Sequence, residues 1–352
     1  MTPILEIDAV RARALTRAEF EEQFSSRPCI LKGLTDAWPA RSAWTPAALA
    51  TRLPHIDFDL GVQDDSRMTI TSFMQLAEAN LKTPLWPHTS PRAGTTAFMV
   101  AQSFPYIFEA EFGELAPELL HEFSIPHMFP TDENDFLAHI SEHAACRPPH
   151  RWFLLGAHGS GFAMHQDPFD SSAWNALLLG RKRWVLLPDC TPMARVLPRT
   201  AAALDSVADG GDALPLDESE ATAAAWFRNV YPTLLHASNT VDGAIECEQV
   251  EGDILYVPRG WWHVALSIQT PPWSKSLLSR GTDCGAGFTV AITQNFMWTV
   301  AFETAVRRMA SRSLDAANAW CERVASKCSD AIVRESARRI AQSLSRCSLA
   351  ES

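Results

Sequence analysis

The sequence predicts a mainly β fold with flanking helices, a small barrel or double-sheet jelly roll, and three observations carry that prediction. From Arg151 onward, short apolar stretches with period-two patterning follow one another closely. Turn-forming residues separate them. Beyond Phe302 the apolar spacing changes to steps of three and four, the mark of amphipathic helices.

In chain order, Thr16 followed by Glu19 has the spacing of a capping box and opens a helix over residues 16–24. Cys29–Leu31 is a short apolar strand, and Pro46 stands at the first position of a helix after Thr45. Residues 84–98, rich in Pro, Thr and Ser, read as a surface loop. The expected strands are Arg151–Leu155, Gly161–Asp167, Ala173–Leu179, Lys182–Leu187, Asp253–Val257, Trp261–Ile268 and Phe288–Phe296. Gly180-Arg181 reads as a two-residue hairpin turn. Residues 191–222 and 269–287 read as insertions between strands. Two or three helices follow to Ser345, with no internal repeat. This organisation divides the chain into an N-terminal α/β region (1–146), a β core (147–300) and a C-terminal helical region (301–352).

Composition narrows the class. The chain has 352 residues, 47% of them hydrophobic and 20% charged, with a net charge of −11 and no basic run. That balance argues against phosphate-driven nucleic-acid binding and suits a basic protein or peptide partner. The first residues have no signal-peptide pattern, and no apolar run is long enough for a membrane span. Eight scattered cysteines without a C-x-x-C pair suggest reduced thiols, so the expected location is intracellular, nuclear or cytoplasmic.

The chemistry centres on His165-Gln166-Asp167 and on His263, 96 residues after the aspartate. Residues i and i+2 of a strand point to one face, so His165 and Asp167 can offer ligand atoms to a single point. His263 from a distant strand would complete two histidines and one carboxylate, leaving about three positions of an octahedral Fe(II) open for a co-substrate and O2. A lone H-x-D is common, and His263 beside two tryptophans also reads as a core histidine. The joint reading gains from Asn175, Lys182, Thr293 and Asn295, polar residues on otherwise apolar strands. A buried lysine needs an anion, and a dicarboxylate supplies one, with Thr293 beside it. The same lysine at a strand end would instead snorkel to water.

Several segments resemble the Jumonji-C (JmjC) oxygenases, and within them the arginine-demethylase/lysyl-hydroxylase branch once called the phosphatidylserine receptor. They are residues 147–153, 165–168, 172–177, 180–184, 226–232, 252–264 and 291–296. Weaker similarity reaches Arg27–Leu31, Trp44-Thr45 and Pro105–Phe108. The resemblance implies a double-stranded β-helix, a cupin-like jelly roll, with Fe(II), 2-oxoglutarate as co-substrate, and O2. It implies His165, Asp167 and His263 as iron ligands and Lys182, Thr293, Asn175 and Tyr106 as the residues holding 2-oxoglutarate. Asn295 falls in a matching segment beside the metal. Arg181, Arg183 and Trp184 are expected on the outer face or the hairpin.

The implied reaction turns 2-oxoglutarate into succinate and CO2 while hydroxylating a protein side chain, lysine being favoured. Removal of an N-methyl group from arginine or lysine is the alternative within the same chemistry. A non-catalytic cupin-type binding protein and a small-molecule or nucleoside hydroxylase are the other readings. Phe162 departs from that branch, which has a threonine three residues before the first iron-binding histidine. The segment 269–287 is an insertion, and the branch's basic tracts and polyserine tail have no counterpart, so its nuclear address and RNA association do not carry over from the resemblance. Asp170 is a candidate to meet a basic substrate, and the apolar stripe Leu314, Trp320 and Val324 to form a homodimer through the C-terminal helices.

Overall fold

The computed structural model describes residues 1–60, 66–81, 106–141, 149–197, 222–236, 240–268 and 287–350. The expected loop at 84–98, most of both insertions, Cys146 and Cys284 lie outside the described residues. Twelve strands are labelled in chain order: β1 (Leu5–Ile7), β2 (Cys29–Leu31), β3 (Asp57–Asp59), β4 (Arg67–Thr69), β5 (Tyr106–Glu109), β6 (Arg151–Ala157), β7 (Ser172–Leu179), β8 (Arg181–Leu187), β9 (Ile245–Val250), β10 (Ile254–Val257), β11 (Trp262–Ile268) and β12 (Phe288–Phe296).

A seven-stranded sheet in the order β1-β2-β10-β7-β12-β6-β5 faces a three-stranded sheet, β11-β8-β9. All pairings in the two sheets are antiparallel except β1 with β2. This is a cupin-like jelly roll with C-terminal helices. Strands β1, β2 and β5, from the first third of the chain, are hydrogen-bonded into the same large sheet as the later strands.

The period-two alternation decides which side chains meet. On β7, Trp174, Ala176 and Leu178 join an outer core with Phe153 of β6, Tyr256 of β10 and Ile292 of β12. The N-terminal elements close that face with Phe20, Trp44, Phe58 and Phe73. The alternate residues point between the sheets, where Ala173, Leu255 and Val257 meet Trp184, Leu186, Ile245 and Ala265 of the smaller sheet. The outer face of the smaller sheet, Val185, Leu187, Trp262 and Val264, is covered by Val196, Trp226 and Leu234. The space between the sheets is therefore apolar except where polar side chains break the alternation, and there the candidate site lies.

Several expectations hold at the level of single elements. Thr16 and Glu19 form both halves of a capping box on the helix Arg17–Gln23, and Thr45 caps Pro46–Arg52. Three helices, Thr299–Ala310, Leu314–Lys327 and Ala331–Ala350, end the chain.

Three expectations are corrected. Gly180 is not a hairpin turn: β7 and β8 belong to different sheets, and the chain crosses from one to the other there. Gly180 has φ +87°, and a Cβ on it would overlap the carbonyl oxygen of Phe288. A glycine marks the corner, but long-range pairing sends the next strand elsewhere. Residues 161–167 form no regular strand, only an isolated bridge between His165 and His263. The stripe of Trp320 and Val324 is buried inside the subunit against Phe136, Phe302 and Val306, and the Trp320 indole donates to the Phe136 carbonyl at 3.0 Å. Leu314 packs against the same cluster while partly buried, and Trp320 and Val324 are not available for a contact between subunits.

Candidate metal centre

His263 lies on β11, between Trp262 and Val264, which enter the outer core of the smaller sheet. Parity turns His263 inward, where it is 5% exposed. The segment 159–165 runs along β11 through Gly159 N to Ser267 O (2.9 Å), Ser267 N to Ser160 O (2.8 Å) and a pair of bonds between His165 and His263 (2.8 and 3.1 Å). Gly161 permits this approach, since a Cβ there would overlap the Ala265 carbonyl oxygen. The segment is thus extended without being a full strand, and the two-residue spacing still sends His165 and Asp167 to one side.

The ligand atoms of His165, Asp167 and His263 all lie within 4.8 Å of one another. His165 Nε2 is 3.9 Å from Asp167 Oδ1, and His263 Nε2 is 3.8 Å from Asp167 Oδ2. Each histidine donates its Nδ1 proton to the carbonyl two residues earlier, His165 to Ala163 (2.7 Å) and His263 to Trp261 (2.9 Å). Those bonds leave both Nε2 lone pairs directed at the carboxylate, as a metal-ligating histidine requires. Burial, then the neighbouring His263, pushes the His165 imidazole down to about 4, so it is a neutral donor near pH 7. Asp167 Oδ2 is buried with no hydrogen-bond partner among the described residues. A buried carboxylate whose two oxygens each face an imidazole lone pair is costly unless a cation sits among them. The residues fit a divalent ion with three protein ligands on one face.

Position decides against the snorkelling reading of Lys182. It is 1% exposed, so it does not reach water. Among the described residues its Nζ has no hydrogen-bond partner, and it lies 5.9 Å from the centre of the Tyr106 ring. Burial pushes the amine down to about 7. Lys182 pairs with Ser267 on β11 while Leu186 pairs with His263, so the lysine and His263 are four residues apart along the strands, roughly 13 Å. Ser267 Oγ and Thr289 Oγ1, 2.8 Å apart, stand at the same end.

Asn175 and Thr293 are cross-strand partners, with Asn175 Oδ1 buried and without a hydrogen-bond partner among the described residues. Thr293 Oγ1 donates to the Trp174 carbonyl (3.0 Å), and Asn295 Nδ2 donates to Ser171 Oγ (3.1 Å), bracing the turn after Asp167. Burial pushes the Tyr106 phenol up, so it stays protonated. All eight singled-out residues fall on the inner faces or on the segment bridging them.

Three features escaped the sequence reading. Trp184 faces inward, 5% exposed, stacks on His263 at 6.3 Å and donates to Gln249 Oε1 at 3.0 Å. Its shared parity with Lys182 was the available signal, and the expected outer position is corrected. Arg181 and Arg183 do lie outside, paired with Glu248 and Glu246. Phe162, Phe108 and Trp152 form an aromatic stack beside His165, assembled from three separate segments. Asp170 is already paired with Arg308 of the C-terminal helices at 3.1 Å, so it is not an unengaged acid awaiting a substrate.

The description "Cupin-like domain" belongs to a family whose model matches residues 16–302. The chain is 31% identical over 288 residues to lysine-specific demethylase JMJ21 of Arabidopsis thaliana, covering 82% of this chain and 25% of that protein. It is 30% identical over 295 residues to the bifunctional arginine demethylase and lysyl-hydroxylase psr-1 of Caenorhabditis elegans, covering 82% of this chain and 61% of that one. Arginine-specific demethylase JMJ22 of Arabidopsis thaliana is 27% identical over 290 residues, 81% of this chain and 45% of that protein. The chain thus spans between a quarter and three fifths of these relatives. With the matched region running through both sheets and all three candidate metal ligands, the chain belongs to the cupin-like domain family, in its Jumonji-C branch.

Proposed function

We propose that this protein is an Fe(II)- and 2-oxoglutarate-dependent oxygenase that acts on a protein side chain. The observation that carries the reading is Lys182, a buried amine with no hydrogen-bond partner among the described residues, set in the same inter-sheet space as a triad of His165, Asp167 and His263. A dicarboxylate spanning the two would satisfy both. His165, Asp167 and His263 would hold the iron, and Lys182, assisted by Asn175, Thr293 and Tyr106, would hold the far carboxylate of 2-oxoglutarate. Bound iron would supply activation of O2, coupled to conversion of 2-oxoglutarate into succinate and CO2.

The chain's own contribution is orientation and exclusion of water. The two Nδ1 bonds set the tautomer of the imidazoles, Trp184 covers one face of His263, and the apolar inner faces limit solvent access. Hydroxylation of a lysine is the form we favour. Loss of an N-methyl group from arginine or lysine is the second reading, supported by the relatives named as demethylases.

The test is succinate formation by purified protein with Fe(II), ascorbate and 2-oxoglutarate, followed by mass spectrometry of a basic peptide library. Gain of one oxygen supports hydroxylation, and loss of methyl groups with formaldehyde release supports demethylation. No succinate above that of a His263→Ala control would overturn the oxygenase reading in favour of a binding protein. The net charge of −11 favours cationic peptides, so turnover on them should fall as salt rises, because charges across a solvated cleft are screened over about 8 Å at physiological ionic strength.

A further inference from the structure

His165 and His263 are supported unequally. His263 sits within β11, its side chain 7% exposed, with Trp184 stacked beside it. His165 sits on an irregular segment, and its side chain is 30% exposed. The bond from Nδ1 to the Ala163 carbonyl fixes one point of the ring but leaves it able to rock about that point. What restrains the ring is packing. The His263 imidazole lies 4.1 Å away at 53°, and the Phe162 ring meets it edge-on at 4.5 Å and 70°.

Phe162 belongs to the same irregular segment, so by itself it would move with His165. It is held from outside. Phe108 of β5 stacks on it at 4.9 Å and 24°, and Trp152 of β6 stacks on Phe108 at 5.3 Å and 29°. Both β5 and β6 are hydrogen-bonded into the large sheet. The three rings therefore run from a rigid sheet to a metal ligand carried on a loop.

We infer that Phe162 is a positioning residue for His165, the last member of a Trp152–Phe108–Phe162 splint that sets the imidazole for metal binding. This rests on the metal-centre reading above. Groups that orient a metal ligand typically contribute ten- to hundredfold in affinity, and a packing contact belongs at the lower end.

Co(II) serves as the probe, bound to the full chain and followed by its visible absorption and by competition with a chelator. Phe162→Ala should bind Co(II) about tenfold more weakly, with altered band positions or intensities. Phe162→Tyr, which keeps the ring, should restore both. The melting temperature of the metal-free proteins separates this from loss of fold. Should the alanine variant not fold, Phe162→Leu keeps the apolar bulk without the flat ring and should still alter the bands. Wild-type affinity and spectrum in Phe162→Ala, alongside strong loss in His263→Ala, would overturn the inference and leave the metal centre standing. A tyrosine variant as impaired as the alanine would also overturn it. Absence of Co(II) binding by the wild type would overturn both readings.

Discussion

His165 and Asp167 show how a short spacing survives the failure of the element expected to carry it. The regular strand over 161–167 is absent, yet an extended backbone bonded along β11 preserves the alternation, and the two side chains converge with His263. Alanine at any of the three should abolish turnover of 2-oxoglutarate with little change in far-ultraviolet circular dichroism, because each removes a ligand from a set of three. Lys182 makes a separate prediction. Its folded-state pKa of about 7 lies below the ordinary lysine value, so between pH 7 and the unfolded value the unfolded chain binds more protons. Stability of the protein without co-substrate should then rise with pH across that window. Lys182→Met should be more stable than wild type at pH 7, and thermal melts should show the difference shrinking toward about pH 10.4. The same variant should raise the KM for 2-oxoglutarate strongly, through loss of a charge-assisted bond of about 1.5–3 kcal/mol. Unchanged co-substrate affinity would remove Lys182 from the site. The polar residues on apolar strands were legible because they interrupt the alternation. The depth of Lys182 was not, since a strand end and a buried strand start look alike until the opposing sheet is in place.

At the scale of elements, most strand positions followed from alternation, and their ends from glycine and proline. Their partners did not. Gly180 illustrates this, because a glycine between two apolar strands signals a turn in a hairpin and at a sheet-to-sheet corner alike. The observed positive φ and the close Phe288 carbonyl make the corner intolerant of a side chain. Gly180→Ala should cost at least about 2 kcal/mol in denaturant unfolding, from backbone strain and steric overlap together. Gly161→Ala should act on the site itself, pushing the segment off β11 and weakening metal binding more than it lowers the melting temperature. Equal affinity for metal in this variant would show that the close approach does not set the triad.

For the whole molecule, the C-terminal helices close a core of their own. Phe136 and Phe302 stack at 4.1 Å, and Trp320 packs edge-on against Phe302 at 4.9 Å. Trp320→Ala should therefore cost about 3–5 kcal/mol, the usual range for emptying a large aromatic site in a packed core. Truncation after Arg308 should expose Phe136 and Phe302 and give aggregation or loss of cooperative melting. A truncated protein that melts like the full chain would contradict the intramolecular role of these helices. Arg308 also reaches from the first of them to Asp170, three residues after Asp167, so the helical region touches the turn that follows a candidate metal ligand. Among the described residues no helix is long and apolar enough to cross a membrane.

The sequence by itself determined the secondary-structure periods, the capping residues, the class of fold and the identity of the candidate metal ligands, because each depends on local spacing or on residue chemistry. Only the tertiary structure decided which strands share a sheet, that Asp170 is already paired, and that the apolar helical stripe closes on its own subunit. Those outcomes depend on which distant surfaces cover one another. The same apolar stripe lowers its free energy by burial against any complementary face, its own chain's or another's, and local patterning does not distinguish them.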